Sequence, residues 1–186
     1  MRRSRIDLKR TKLFIILIGT FLLLFYVVSL SGCGGSGYKT FEQLKGVDHY
    51  SFEYPATYRL TMNHHYSDPR AVSGVRFVGK LSDGSEIVLV VNISNPSVEY
   101  TRAPADRIDR TLSVAGRELL ERSTGTVSGV SCELITLYTE TSNIMRQAFF
   151  EYNERSWDFY VYSKRGNAEQ VKADFEHLFN TFTLLP

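Results

Sequence analysis

Ile87-Val88-Leu89-Val90-Val91 is the segment that most constrains the fold. A strand shows successive side chains to opposite faces, so this run is apolar on both. Such a strand belongs in the middle of a sheet. The run sits in a predicted strand over 86–93, and Ser82-Asp83-Gly84-Ser85 separates it from another apolar segment over 75–81. Asp-Gly between two apolar runs predicts a hairpin, because a tight primed turn needs positive φ. Upstream, Tyr50-Ser51-Phe52-Glu53-Tyr54 alternates aromatic with polar residues and ends at Pro55. Residues 58–65 read as a further strand with Tyr58, Leu60 and Met62 on one face. The polar stretch 66–74 contains Pro69 and reads as a loop.

Downstream, Pro104 suits the first position of a helix. Ile108, Leu112, Ala115 and Leu119 would share its apolar stripe, Asp106 and Arg110 can pair on another face, and Gly116 would stop or loosen it. Strands are expected at 118–124, 131–140, 145–152 and 156–162, the last two forming a hairpin around Asn153-Glu154-Arg155. Phe149 and Phe150 must then face opposite sides, as must Phe159 and Tyr160. A final helix carries Val171, Phe175, Leu178, Phe179 and Phe182 at helical spacing. Asn167 reads as its N-cap, with Gln170 three residues later in a near capping box. Its polar face is mixed in charge, unlike the basic face of a membrane-lying helix.

The start of the chain has a separate logic. Arg2, Arg3, Arg5, Lys9, Arg10 and Lys12 precede an apolar run over 13–30, and only Asp7 opposes them. Positive charge stays on the cytoplasmic side of an inserting segment. The run of 18 residues lies between a secretory core of about 7–15 and a spanning helix of about 20. An uncleaved transmembrane anchor is therefore one reading. The other rests on Leu30-Ser31-Gly32-Cys33, which resembles the lipobox of bacterial lipoproteins. That resemblance implies a signal peptide over 1–32, cleavage before Cys33, and attachment of lipid, palmitate-type acyl chains, to Cys33. Gly34-Gly35-Ser36-Gly37 would follow as a flexible tether, with 33–49 the lipidated cysteine and lead-in. Several acyl chains hold a protein stably where one does so only marginally.

Removing 1–32 leaves 154 of the 186 residues, enough for one domain over 50–186 with a real core. The leader holds six of the 22 basic residues and one of the 20 acidic ones, so the remainder has 16 against 19, a net of −3. A nucleic-acid binder would need a basic face. If Cys33 is acylated, Cys132 has no partner within the chain, and it reads as a small buried residue.

The order strand pair, hairpin, helix, four strands, terminal helix resembles the PsbP-like domain. The residues carrying the resemblance are Tyr50-Ser51-Phe52-Glu53-Tyr54-Pro55 and Tyr58 at the front. Phe149, Trp157, Phe159, Tyr160, Phe175, Phe179 and Phe182 carry it at the back. Position 58 often holds tryptophan in that family. The resemblance implies an α+β fold, an α/β/α sandwich with a central, mainly antiparallel sheet. Many bacterial members are small lipoproteins. The plant relative's place near a manganese–calcium cluster does not carry over, since no ligand motif matches.

No catalytic signature stands in the chain. His64 and His65 are adjacent in a predicted strand and point apart, while His49 and His177 are isolated. Metal-ligand spacing, a phosphate loop and a nucleophile elbow are missing. No catalytic or metal residue is assigned, and no cofactor. Asp106 and Asp109 lie among Arg107 and Arg110, which keep both acids ionised. Asn92-Ile93-Ser94 matches a glycosylation sequon by chance. Trp157 reads as a core residue on the side of Phe159, opposite Phe150 if the register holds. The expectation is a lipid-anchored extracytoplasmic protein of the bacterial membrane, a non-catalytic binding or accessory module with an envelope protein as partner. Its binding face would be a sheet edge or the 66–74 loop, where Tyr66 and Arg70 are natural contacts. The rival is an envelope enzyme whose site is assembled from distant residues.

Overall fold

A computed structural model describes residues 37–65, 73–94 and 104–186. The elements in order are β1 Tyr38–Gln43, β2 Tyr50–Pro55, β3 Arg59–His64, β4 Ser73–Lys80, β5 Glu86–Ser94 and α1 Pro104–Leu112. There follow β6 Glu118–Val127, β7 Val130–Tyr138, β8 Asn143–Tyr152, β9 Arg155–Lys164, α2 Ala168–Thr181 and β10 Thr183–Leu184. Seven strands form one antiparallel sheet in the order β3-β4-β5-β9-β8-β7-β6, and β1-β2-β10 form a second. The fold is thus mostly antiparallel β, with a helix packed on each face of the large sheet. None of the described helices is long and apolar enough to cross a membrane.

β5 lies between β4 and β9, as its apolar run requires. Ile87, Leu89 and Val91 face one side and Val88 and Val90 the other, all buried. Strand alternation sends Ala148, Phe150, Trp157, Phe159 and Val161 to the first side. There they meet Val171, Phe175 and Leu178 of α2, together with Tyr50 and Phe52 of the small sheet. Ile135, Leu137, Met145 and Phe149 go to the second side and pack on Ile108 of α1. Phe150 and Trp157 are register partners with rings 5.8 Å apart, so they share a face, where the sequence suggested opposite directions. Trp157 is in the core, beside Phe159.

The turns divide by conformation. Between β4 and β5, Gly84 alone takes positive φ, and Leu81 N donates to Ser85 O at 2.9 Å. This is a three-residue loop with one left-handed residue, in place of the primed turn expected from Asp-Gly. Asp83 Oδ1 braces it by accepting from the Ser85 N–H and hydroxyl. The primed geometry occurs instead between β8 and β9, where Asn153 and Glu154 both take positive φ.

Five further expectations are corrected. Residues 38–49 contain β1, which pairs along the whole of β2; Phe41 packs 5.4 Å from Phe52 and 5.5 Å from Phe77. α1 ends at Leu112, with Ile108 its buried residue; Ala115 is exposed and Leu119 belongs to β6. Asn167 does not cap α2, because its amide donates to Ser85 Oγ at 2.7 Å and Ser163 Oγ at 3.1 Å. Gln170 likewise turns to Asp174 Oδ1 at 2.9 Å. Tertiary acceptors here displace the local cap. Phe182 follows α2 in extended backbone and is buried among Tyr50, Phe159 and Trp157. The leader, Cys33 and the Gly-Ser run up to residue 36 lie outside the described residues, as do Tyr66, Pro69 and Arg70; Ser73 and Gly74 of the expected loop begin β4.

Candidate functional site

α1 is nine residues long and covers only part of its face of the sheet. Beside it the sheet is left open as a cleft of about 500 Å³. Strand parity decides what lines it. β9 contributes Asp158, Tyr160 and Tyr162, β8 contributes Asn143, Met145 and Gln147, and β5 contributes Asn92. Register places Asn92 opposite Asp158, Gln147 opposite Tyr160, and Met145 opposite Tyr162. Thr111, Arg117, Thr139, Glu140 and Thr141 form the rim.

Asp158 is the centre of the floor, a carboxylate only 8% exposed. Arg107 Nη2 donates to its Oδ1 at 2.5 Å; Asn92 Nδ2 and Gln147 Nε2 donate to its Oδ2 at 3.2 and 3.1 Å. Arg107 Nη1 also donates to the Trp157 carbonyl at 2.9 Å, and the guanidinium lies 5.0 Å over the Phe149 ring. Burial pushes the Asp158 carboxyl above its ordinary range, against the pull of Arg107 and the two amides. Burial and the charge of Asp158 together raise the Tyr160 hydroxyl. At the rim, Arg117 Nε donates to Glu140 Oε2 at 3.1 Å and its Nη1 to the Thr111 carbonyl. Among the described residues the charged groups of the cleft are therefore matched in pairs, Arg107 with Asp158 and Arg117 with Glu140. The Tyr160 and Tyr162 rings lie 6.1 Å apart, tilted by 32°.

A second polar cluster ties α2 to the other layer. The Tyr58 hydroxyl donates to buried Asp174, which also accepts from Gln170. His177 Nε2 stands 3.0 Å from Glu53 Oε2, and its ring stacks on Tyr38 at 3.5 Å. Of the histidines in the sequence reading, His177 belongs to this cluster. His64 and His65 are exposed at the end of β3, and His49 Nδ1 lies 3.2 Å from the Pro186 carbonyl. No cluster of three metal-binding side chains occurs among the described residues. Cys132 is buried, and burial raises its thiol. Asn92 of the sequon is half-buried and bonded to Asp158, a structural position.

Sequence reasoning did not pick out Asp158, Gln147, Tyr160 or Tyr162 as a site. The available signal was a lone acid in the aromatic strand Trp157-Asp158-Phe159, and Asn92 closing an apolar run. A polar side chain at a parity that should be buried calls for a partner.

No family model matches the chain, and no curated protein matches it in sequence. Solved structures do match in fold. The solution structure of cyanobacterial PsbP from Synechocystis sp. PCC 6803 aligns with a TM-score of 0.55 at 16% identity, covering 83% of this chain and 96% of that one. LpqN of Mycobacterium tuberculosis, involved in cell envelope biogenesis, aligns at 0.52 and 11%, covering 80% and 92%. A Pseudomonas aeruginosa protein of unknown function aligns at 0.50 and 15%, covering 80% and 96%. The fold is PsbP-like. At these identities the likeness concerns backbone architecture alone.

Proposed function

We propose that this protein is a lipid-anchored, extracytoplasmic binding module, held to a bacterial membrane through Cys33 and engaging its ligand in the cleft above Asp158. In this reading its two helices and central sheet are the α/β/α layers of the PsbP-like fold. The observation that carries the binding role is the state of Asp158. Its oxygens accept from Arg107, Asn92 and Gln147, and among the described residues the other acid of the cleft, Glu140, is held by Arg117 at the rim. A general acid or base needs a reachable proton and a carboxyl that can exchange it. A carboxylate held by an arginine and two amides instead braces a rigid floor. LpqN, which shares the fold, is involved in envelope biogenesis, and an accessory role in the envelope fits a tethered domain.

Three experiments test this. Cys33→Ser should abolish acyl labelling and leave a longer precursor; unchanged label and mobility would favour a spanning helix. A photo-crosslinking side chain at position 162, in cells, should capture an envelope component. Ester, peptide and glycan substrates should stay intact with the purified chain. Turnover that disappears in Asp158→Asn would promote the envelope enzyme instead.

A further inference from the structure

We infer that the ligand of this cleft is an uncharged saccharide, an inference that rests on the binding reading of the same site. Three features of the lining select the class. First, its charges are already paired: Arg107 with Asp158 at 2.5 Å and Arg117 with Glu140 at 3.1 Å. The Arg107–Asp158 pair is buried, and a charged ligand that separated it would meet a large cost; the Arg117–Glu140 pair at the rim, 22% and 44% exposed, leaves no unmatched charge to attract one. Second, the remaining polar groups are amides and hydroxyls, led by Asn143, Gln147, Thr141 and the two tyrosines. An amide offers two donors and a carbonyl with two lone pairs, and a hydroxyl both donates and accepts. That mixture matches a ligand whose own surface is hydroxyls. Third, Tyr160 and Tyr162 both line the cleft, their ring centroids 6.1 Å apart and their planes tilted by 32°. An aromatic face is electron-rich and attracts the weakly positive C–H groups on one side of a sugar ring. Among the described residues, Met145 is the one aliphatic side chain of the lining. A peptide side chain would find little apolar surface there, and apolar surface is what usually dominates a small-molecule pocket.

The test uses the full chain in a zwitterionic detergent that carries no sugar. Thermal shift and calorimetric titration would be run with maltotriose, triacetylchitotriose, trigalacturonic acid and tri-alanine. A ligand that binds only the folded state raises the melting temperature as its concentration passes Kd. The neutral trisaccharides should bind and the acidic one should not. Preference for triacetylchitotriose would point to wall-type amino sugars, and preference for maltotriose to free glucans. Tyr162→Phe should bind within about threefold of the parent, and Tyr162→Leu, which keeps bulk without a ring face, should lose roughly tenfold. Equal loss in both, at unchanged unliganded melting temperature, would refute the ring platform. Binding of tri-alanine or trigalacturonic acid in preference to neutral sugar would overturn the ligand class and leave the binding module standing. No shift with either neutral trisaccharide at tens of millimolar would overturn the saccharide inference. The binding reading itself stands or falls separately, on the crosslink at position 162.

Discussion

Arg107→Met removes the charge that matches Asp158 while keeping an unbranched apolar stem over Phe149. The wild-type guanidinium makes an ion pair at 2.5 Å with a carboxylate that is 8% exposed, and a hydrogen bond at 2.9 Å to the Trp157 carbonyl. Without it, Asp158 keeps only the amides of Asn92 and Gln147. Breaking a buried pair from one side costs about 3–5 kcal/mol, since the orphaned charge stays desolvated. Against a usual stability of roughly 5–15 kcal/mol this is a large loss. It corresponds to a fall in melting temperature of roughly 6–20 °C for a domain of this size. Urea unfolding can be followed by fluorescence of Trp157, the single tryptophan, buried on the far side of β9. Asp158→Asn lowers the cost of losing Arg107, because no buried anion is then left behind. The double variant Arg107→Met/Asp158→Asn should therefore be less destabilised than the sum of the singles by at least about 1 kcal/mol. A cost for Arg107→Met below about 1 kcal/mol, or strict additivity in the cycle, would refute the argument that this pair braces the cleft floor.

Phe175→Ala empties a site flanked by Phe159 at 5.8 Å and Phe179 at 6.0 Å, and should cost about 3–5 kcal/mol in the same unfolding assay. Gly79→Ala would drive a Cβ into the Tyr58 ring, which lies directly over the strand there; a loss of about 1–3 kcal/mol is expected, largely relieved in Tyr58→Ala. Asp174 is raised above 3.8, chiefly by burial. It binds its proton more tightly folded than unfolded, so its contribution is full below 3.8 and is lost as pH rises through the folded value. Melting temperature should thus fall as pH rises above 3.8 through this group, and Asp174→Asn should flatten that part of the profile; a steeper decline in the variant would contradict the sign.

Local pattern determined much of this protein. The two-faced apolar run placed β5 inside the sheet, Pro55 ended β2, Pro104 began α1, and the spacing of Val171, Phe175 and Leu178 marked the buried stripe of α2. Each of these depends on burial within one element, which periodicity reports directly. β1 escaped because most of its residues are exposed and its order comes from pairing with β2. Asn167 misled because its cap geometry was local and its actual acceptors, Ser85 and Ser163, are tertiary. The cleft was illegible for a related reason. It exists because β5 pairs with β9, which brings Asn92 beside Asp158 across 66 positions of chain, and because α1 stops at Leu112, leaving the cleft open beside it. Alternation along a strand says which face a side chain takes. Register between strands distant in sequence decides what it meets there, and that depends on the packing of the whole sheet.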